Sequence, residues 1–315
     1  METPLVSVVV PNYNHGKFLF ERLESILNQT FSDFELIILD DYSSDNSREI
    51  IEKYRANNKV SHILYNNVNS GNPFLQWEKG IAVSRGKYIW IAESDDFADV
   101  EFLSILIEIM EKNEEVGLAY CKSYLIDSSN NYTKYRGQSI LPDESISLQY
   151  SDDYNISGID EITRHLLKDN MLLNASCIVF RKQNFIQTDN YYLKFRLCGD
   201  WIKWIQILSD SKIYFYSTKP LNYFRFHENT ARSKTSEPNF VSEYFLIVKY
   251  LIGLGKTEIN IHRRELMDSL SYRLLHLSLK SAKTIRMYSQ FTIFALKNSY
   301  YIWNKSLLKK VIGKQ

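Results

Sequence analysis

Residues 88 to 97 read YIWIAESDDF, and this stretch decides the fold. A short aromatic and β-branched run, Tyr88 to Ala92, has the character of a buried strand. It stops in Glu93, Ser94, Asp95 and Asp96. Ligands of open α/β sheets collect at the carboxyl edge of the strands, and a strand ending in carboxylates delivers charge there. One reading is a site for a metal ion and a diphosphate. The competing one is an acidic loop capping the helix that follows, since Asp and Ser both serve as N-caps ahead of a run such as Val100 to Met110.

The flanking sequence repeats the same unit. Val6 to Pro11 reads as a buried strand, broken by Pro11, Asn12, Tyr13 and Asn14, with a helix behind it that places Leu19, Leu23, Ile26 and Leu27 on one face. A second unit has a strand at Phe34 to Leu39, a polar turn from Asp40 to Ser47 and a helix from Arg48 to Arg55, with Asn46 and Glu49 at capping-box spacing. A third has a strand at Ser61 to Tyr65 and a helix from Pro73 to Ser84, with Pro73 tolerated in the first turn. After the acidic cluster the pattern predicts a helix at Val100 to Asn113 and a strand at Gly117 to Ile126. Asp127 to Gly158, rich in Ser, Asp, Asn and Tyr, then reads as a hairpin and a long loop. Beyond it come a helix at Ile159 to Lys168, a strand at Cys177 to Arg181, a helix at Asp200 to Ser209, and strands at Lys212 to Tyr216 and Leu221 to His227. Past Pro238 only helices are expected. Alternation of this kind predicts an α/β fold with a mostly parallel, Rossmann-like central sheet and helices on both faces.

The chain of 315 residues, 44% hydrophobic and 24% charged, is long enough for one large domain plus an appendage. No run approaches the roughly 20 apolar residues a membrane span requires, and no signal peptide precedes the first strand, so a cytoplasmic protein is expected. Cys121, Cys177 and Cys198 are too few and too scattered for a disulfide framework or a zinc ribbon. A net charge of +1 conceals a basic C-terminus, with eleven Lys and Arg from Arg263 onward against Glu265 and Asp268. Leu266, Leu270, Leu274 and Leu277, then Phe291, Phe294 and Ala295, recur at helical spacing among these charges. They serve either packing against the main domain or peripheral contact with an anionic membrane. No nucleic-acid-binding motif is evident.

In a parallel sheet the loops after the first, second and fourth strands share one edge. They bring together Asn12, Tyr13 and Asn14; then Asp40, Asp41 and Ser43; then Glu93, Asp95 and Asp96. A ring, a carboxylate pair and an acidic cluster suit a nucleoside diphosphate. Tyr13 would lie against the base, Asp40 or Asp41 would accept a ring N–H of uracil, thymine or guanine, and Asp95 or Asp96 would hold Mg2+ or Mn2+ across the phosphates.

PNYNH at 11 to 15, LDDYSSDNS at 39 to 47, NVNSG at 67 to 71, WEKGIAVSRGKYIWIAESDDF at 77 to 97 and CGDWIKWIQIL at 198 to 208 resemble glycosyltransferase family 2. That is a family of inverting nucleotide-sugar transferases with a GT-A type fold. The resemblance implies a catalytic domain over residues 1 to 232 and a basic helical extension over 233 to 315. It implies a UDP-sugar or related donor held by Pro11, Asn12, Tyr13, Asn14, Asp40, Asp41, Ser43, Asn69, Gly71, Arg85, Glu93, Ser94 and Asp95. Arg225 and His227 would approach the diphosphate, Mn2+ or Mg2+ would sit at Asp95 and Asp96, and Asp200 would be the general base. The family's acidic motif usually begins with Asp, where this chain has Glu93, and its Glu-Asp pair is Gly199-Asp200 here. The acceptor would be a glycan or a lipid-linked oligosaccharide, as in cell-surface polysaccharide synthesis. Two other readings use the same fold features: a non-catalytic nucleotide-sugar or glycan binding module, and a nucleotidyltransferase.

Overall fold

The computed structural model describes residues 3–132, 152–172, 174–228, 236–277 and 282–297. Most of the long loop expected from Asp127 to Gly158, together with Asn229, Arg232 and the end of the basic tail, lies outside them.

The first half alternates as the sequence predicts: β1 (Val6–Asn12), α1 (Gly16–Leu27), β2 (Phe34–Asp40), α2 (Ser47–Glu52), β3 (Val60–Tyr65), α3 (Pro73–Val83), β4 (Tyr88–Ile91) and, after a two-residue strand β5 (Phe97–Ala98), α4 (Phe102–Lys112). β1 and β2 are buried along their whole length. Parallel strands covered on both faces read as continuous apolar runs, which is why VSVVVPN and FELIILD show no alternation. β1 pairs in parallel with β2 and β4, and the register sets Asn12 opposite Asp40. The chain then continues through β6 (Val116–Cys121), β7 (Ser123–Ile126), β8 (Tyr154–Ser157), α5 (Gly158–Glu161), β9 (Ile178–Arg181), α6 (Lys182–Ile186), α7 (Gly199–Leu208), β10 (Lys212–Tyr216) and β11 (Asn222–Arg225).

Eight strands form one sheet in the order β3-β2-β1-β4-β9-β6-β10-β8. β9 runs antiparallel between β4 and β6, and β8 is antiparallel at the far edge. A second sheet, β5-β11-β7, lies beyond the acidic loop. Thus the strand expected from Gly117 to Ile126 is two strands in two sheets, divided at Lys122. Three other details depart from expectation. Asn46 makes no side-chain cap; Asp45 takes that role, accepting the Ser47 N–H at 3.0 Å. The helix expected from Ile159 to Lys168 is one α-turn continued as a π-helix over Ile162–Leu166. The strand expected from Leu221 to His227 ends at Arg225.

The C-terminal helices α8 (Glu237–Gly253), α9 (Thr257–Ile261), α10 (Arg263–His276) and α11 (Ala282–Lys297) pack on the sheet domain and share its hydrophobic core. Leu266, Leu270, Leu274 and Leu277 are buried, as are Phe291 and Ala295, so the apolar stripes read in the tail are spent on packing. Glu243 of α8 accepts the backbone N–H groups of Arg196, Leu197 and Cys198 at 2.8–3.1 Å, fixing the segment that leads into α7. Among the described residues no helix is long and apolar enough to cross a membrane. All three cysteines are free and buried.

Candidate active site

The carboxyl ends of β1 and β2 are tied together by side chains that their parallel register brings opposite each other. Asn12 Nδ2 donates to Asp40 Oδ2 at 2.8 Å and to Ser43 Oγ at 3.2 Å. Asp40 Oδ1 accepts the Ser43 N–H at 2.9 Å. Ser43 Oγ also accepts the Asn14 N–H at 2.9 Å, and Asn14 Oδ1 takes the Ser44 N–H at 2.7 Å. Asn14 has φ 56°, the left-handed region that Asn tolerates. Asp41 accepts from Ser70 Oγ at 2.7 Å, from the Ser70 N–H and from Gln76 Nε2 at 3.0 Å, and so brings the turn after β3 to the same edge. Within that turn Asn69 Oδ1 accepts the Gly71 N–H, and Gly71 supplies φ 64°. Pro11 is buried in β1, while Tyr13 stands 46% exposed beyond it.

The acidic loop after β4 divides its residues between two sides. Asp95 Oδ2 lies 3.0 Å from His227 Nε2, and ligand atoms of His15, Asp95 and His227 all fall within 4.8 Å of one another. His15 is held from its other side, Nδ1 being 2.9 Å from the buried Ser94 Oγ. One carboxylate and two imidazoles around one point form a donor set suited to a divalent transition ion. Burial works to raise the Asp95 carboxyl, but His15 and His227 outweigh it and hold it below the usual carboxylate range. Desolvation and the Asp95 charge push Glu93 up to about 8, which favours its protonated form near neutral pH. Its Oε1 accepts the Trp77 indole N–H at 3.1 Å.

Asp96 stands apart from this cluster, contrary to its expected role as a second metal ligand. It is buried, Oδ1 accepting the Arg225 N–H at 2.9 Å and Oδ2 accepting Asn174 Nδ2 at 2.8 Å. Burial and the Asp95 charge raise its carboxyl. Beneath the loop lies Arg22, fully buried, donating to the Glu93 carbonyl at 2.8 Å and to Ser176 Oγ at 2.9 Å, with Asp96 3.9 Å away. Burial lowers its guanidinium to about 10, which leaves it charged at neutral pH.

Two other expected contacts are corrected. Arg85 pairs with Glu35 at 2.8 Å, beside Ser7, at the amino ends of β1 and β2. Glu35 is five residues before Asp40 in β2, about 16 Å at the usual strand rise, so Arg85 is on the edge opposite the acidic loop. Arg225 is buried, and its donors are spent inside the protein: Nε on the Asp95 carbonyl at 2.7 Å, Nη1 on the Asp127 carbonyl and Asn130, Nη2 on Glu21 at 2.6 Å. It braces the acidic loop where the sequence suggested a contact with phosphate.

Asp200 opens α7, with Oδ2 accepting Asn170 Nδ2 at 2.9 Å. Its neighbour Gly199 is a steric necessity. A Cβ there would meet the Phe74 ring at 2.4–2.7 Å. Phe74 in turn meets the ring of Trp77, whose indole holds Glu93, so α7 is joined to the acidic loop through two packed rings.

His15 was not singled out in the sequence as a ligand, although it sits inside PNYNH. Its signal was positional: it ends the loop after β1, within reach of the loop after β4, three strands later in the chain, only once β1 and β4 pair.

Strand order, the antiparallel β9 and the small sheet that carries β11 against the acidic loop define a GT-A type fold. TarS (residues 1–349) from Staphylococcus aureus, solved in complex with UDP-GlcNAc, shares it with a TM-score of 0.59 and 19% identity over 93% of this chain and 72% of that one. The mannosyltransferase PcManGT from Pyrobaculum calidifontis, solved with GDP-Man and Mn2+, does so with a TM-score of 0.54 and 11% identity, over 100% of this chain and 89% of that one. Residues 7–186 match the profile of glycosyl transferase family 2, and the chain belongs to that family. Glycosyltransferase GlyG of Streptococcus pneumoniae is 36% identical over 141 residues, 44% of this chain and 46% of that protein. The uncharacterized glycosyltransferase MJ1057 of Methanocaldococcus jannaschii is 30% identical over 212 residues, 67% of each. The chain therefore spans under half of GlyG and two thirds of MJ1057.

Proposed function

We propose that this chain is an inverting glycosyltransferase that moves one sugar from a nucleoside diphosphate donor, UDP first among the candidates, to a hydroxyl of a glycan or lipid-linked acceptor. The observation that carries the reading is the convergence of His15, Asp95 and His227 at the carboxyl edge, in line with the Asn12–Asp40 pair and Tyr13. The neighbours solved with UDP-GlcNAc and with GDP-Man and Mn2+ support it. A low-lying carboxylate with two imidazoles fits Mn2+ better than Mg2+, which prefers an all-oxygen shell. Bound there, the ion would neutralise charge developing on the leaving diphosphate.

The chain's own residues divide the remaining work. Tyr13 lies against the base and Asp40 or Asp41 accepts its ring N–H. Protonated Glu93, its Oε1 already accepting from Trp77, keeps a hydroxyl to donate toward the donor ribose. Asp200 takes the acceptor proton as the hydroxyl attacks the anomeric carbon from the face opposite the diphosphate, and a positioned base contributes about 10²- to 10⁴-fold. Relatives that include a poly(ribitol-phosphate) β-glucosyltransferase and a chondroitin synthase support a polysaccharide acceptor. Contact with an anionic membrane would rest on exposed Ile261, Tyr272, Ile285 and Ile293 among the basic residues of the extension.

Calorimetric titration of UDP, GDP, dTDP and ADP, each with and without Mn2+, into the wild type and Asp95→Ala tests the reading. Metal-dependent binding of one of the first three, lost in Asp95→Ala, is expected. Absence of nucleotide binding under all conditions would leave the edge structural.

A further inference from the structure

Tyr42 sits in the left-handed region, φ 65°, although it is an aromatic residue with a Cβ. Apart from Gly, residues that enter this region readily are Asn and Asp, and any other pays a steric penalty. The backbone on both sides holds Tyr42 in that conformation. Asp41 is anchored by Ser70 and Gln76, and Ser43 by Asp40, Asn12 and Asn14. Tyr42 is 59% exposed, and among the described residues neither the ring nor the hydroxyl has a partner. Tyr13, on the adjacent loop of the same edge, is likewise exposed and unpartnered among the described residues. A strained, over-determined backbone that displays a largely exposed aromatic ring at the carboxyl edge of a parallel sheet is a pattern associated with binding sites.

We propose that Tyr42 is a base-stacking residue of the donor site, giving the nucleoside a second aromatic face beside that of Tyr13. The inference rests on the nucleotide reading given above. The β1 and β2 loops then each offer one ring, and the Asn12–Asp40 hydrogen bond ties the two loops together. Stacking tolerates any base, whereas the acceptor at Asp40 or Asp41 selects for a ring N–H.

The test is calorimetric titration of UDP with Mn2+ into the full chain, with thermal melting of each variant. In Tyr42→Gly and Tyr42→Asn, which suit the left-handed backbone, UDP affinity should fall about five- to hundred-fold, the range for loss of one base-stacking ring. Their melting midpoints should equal or exceed that of the wild type. Tyr42→Phe keeps the π-face and should bind within about two-fold of wild type. Wild-type binding with unchanged affinity in the Gly and Asn variants would overturn this inference alone. So would a drop of several degrees in their midpoints, which would make the ring a packing element, or equal loss in Tyr42→Phe, which would make the hydroxyl the contact. Failure of the wild type to bind UDP, GDP or dTDP would overturn the nucleotide reading, and this inference with it.

Discussion

Replacing Arg225 by Met separates two roles for a basic residue beside a diphosphate site. In the structure its guanidinium joins four acceptors from three parts of the chain: the Asp95 and Asp127 carbonyls, Asn130 and Glu21. Glu21 is more than a third exposed, so solvent discounts its share of the ion pair. Asn130 is exposed, so most of the loss comes from stranding the Asp95 and Asp127 carbonyls, each costing about 1–3 kcal/mol to the extent that it is buried. About 3 kcal/mol is a reasonable total. At roughly 2.1 cal/mol/K of unfolding entropy per residue, a 315-residue chain changes stability by about 0.7 kcal/mol per degree near its midpoint, so the melt should shift down about 4 °C. Affinity for UDP with Mn2+ should fall as well, because the carbonyl held at 2.7 Å belongs to Asp95. Arg225→Lys should resemble Arg225→Met, since one ammonium cannot replace a fork serving separated acceptors. Differential scanning fluorimetry and calorimetry on the same samples read both quantities. A variant that melts within about 1 °C of wild type yet loses tenfold in affinity, with Lys restoring it, would refute the brace and return Arg225 to the phosphates.

Glu161 is fully buried, with one oxygen accepting Tyr154 OH at 3.0 Å, and burial raises its carboxyl to about 7 from the usual 4.5. The folded state therefore binds this proton more tightly, and stability is lost as pH rises from about 4.5 through 7. Relative to wild type, Glu161→Gln should gain about 3 kcal/mol between pH 4.5 and pH 8 in urea unfolding, at about 1.4 kcal/mol per pKa unit, and a pH-independent difference would contradict this. Asp200→Asn should abolish transfer with donor affinity within about two-fold of wild type, and retained transfer would remove Asp200 from the role of base. Arg85→Met should leave affinity for UDP with Mn2+ unchanged, as its place on the amino edge requires; a tenfold loss would contradict that placement. Gly199→Ala forces the Phe74 ring aside and should cost about 1–3 kcal/mol in urea unfolding, with an unchanged midpoint counting against the close approach.

Much of this arrangement is legible in the amino-acid sequence. β1, β2 and β4 announced themselves as unbroken apolar runs because sheets covered on both faces leave no polar alternation, and the polar loops behind them had to share an edge. What failed was legibility of partners. The resemblance ranks Asp95 ahead of Asp96 as metal ligand but does not reveal their partners: one faces two histidines and the other is closed in by β11 and Asn174. Arg225 reads as a phosphate ligand until the loops that consume its donors are in place. Arg85 is different, since chain order was enough to place it: a residue just before a strand parallel to β1 stands at the amino edge. The break at Lys122 and the reversed direction of β9 depend on how distant segments pair, which periodicity does not encode.

β9 closes the sheet between β4 and β6, but it is made about ninety residues after β4. While the chain emerges at roughly 5–20 residues per second, the β4 backbone has one unpaired side for several seconds or more. An apolar strand with an open edge is a template for other chains. Fragments ending before Ile178 would keep that edge permanently, and their solubility would depend on another strand, or a chaperone, taking the place of β9.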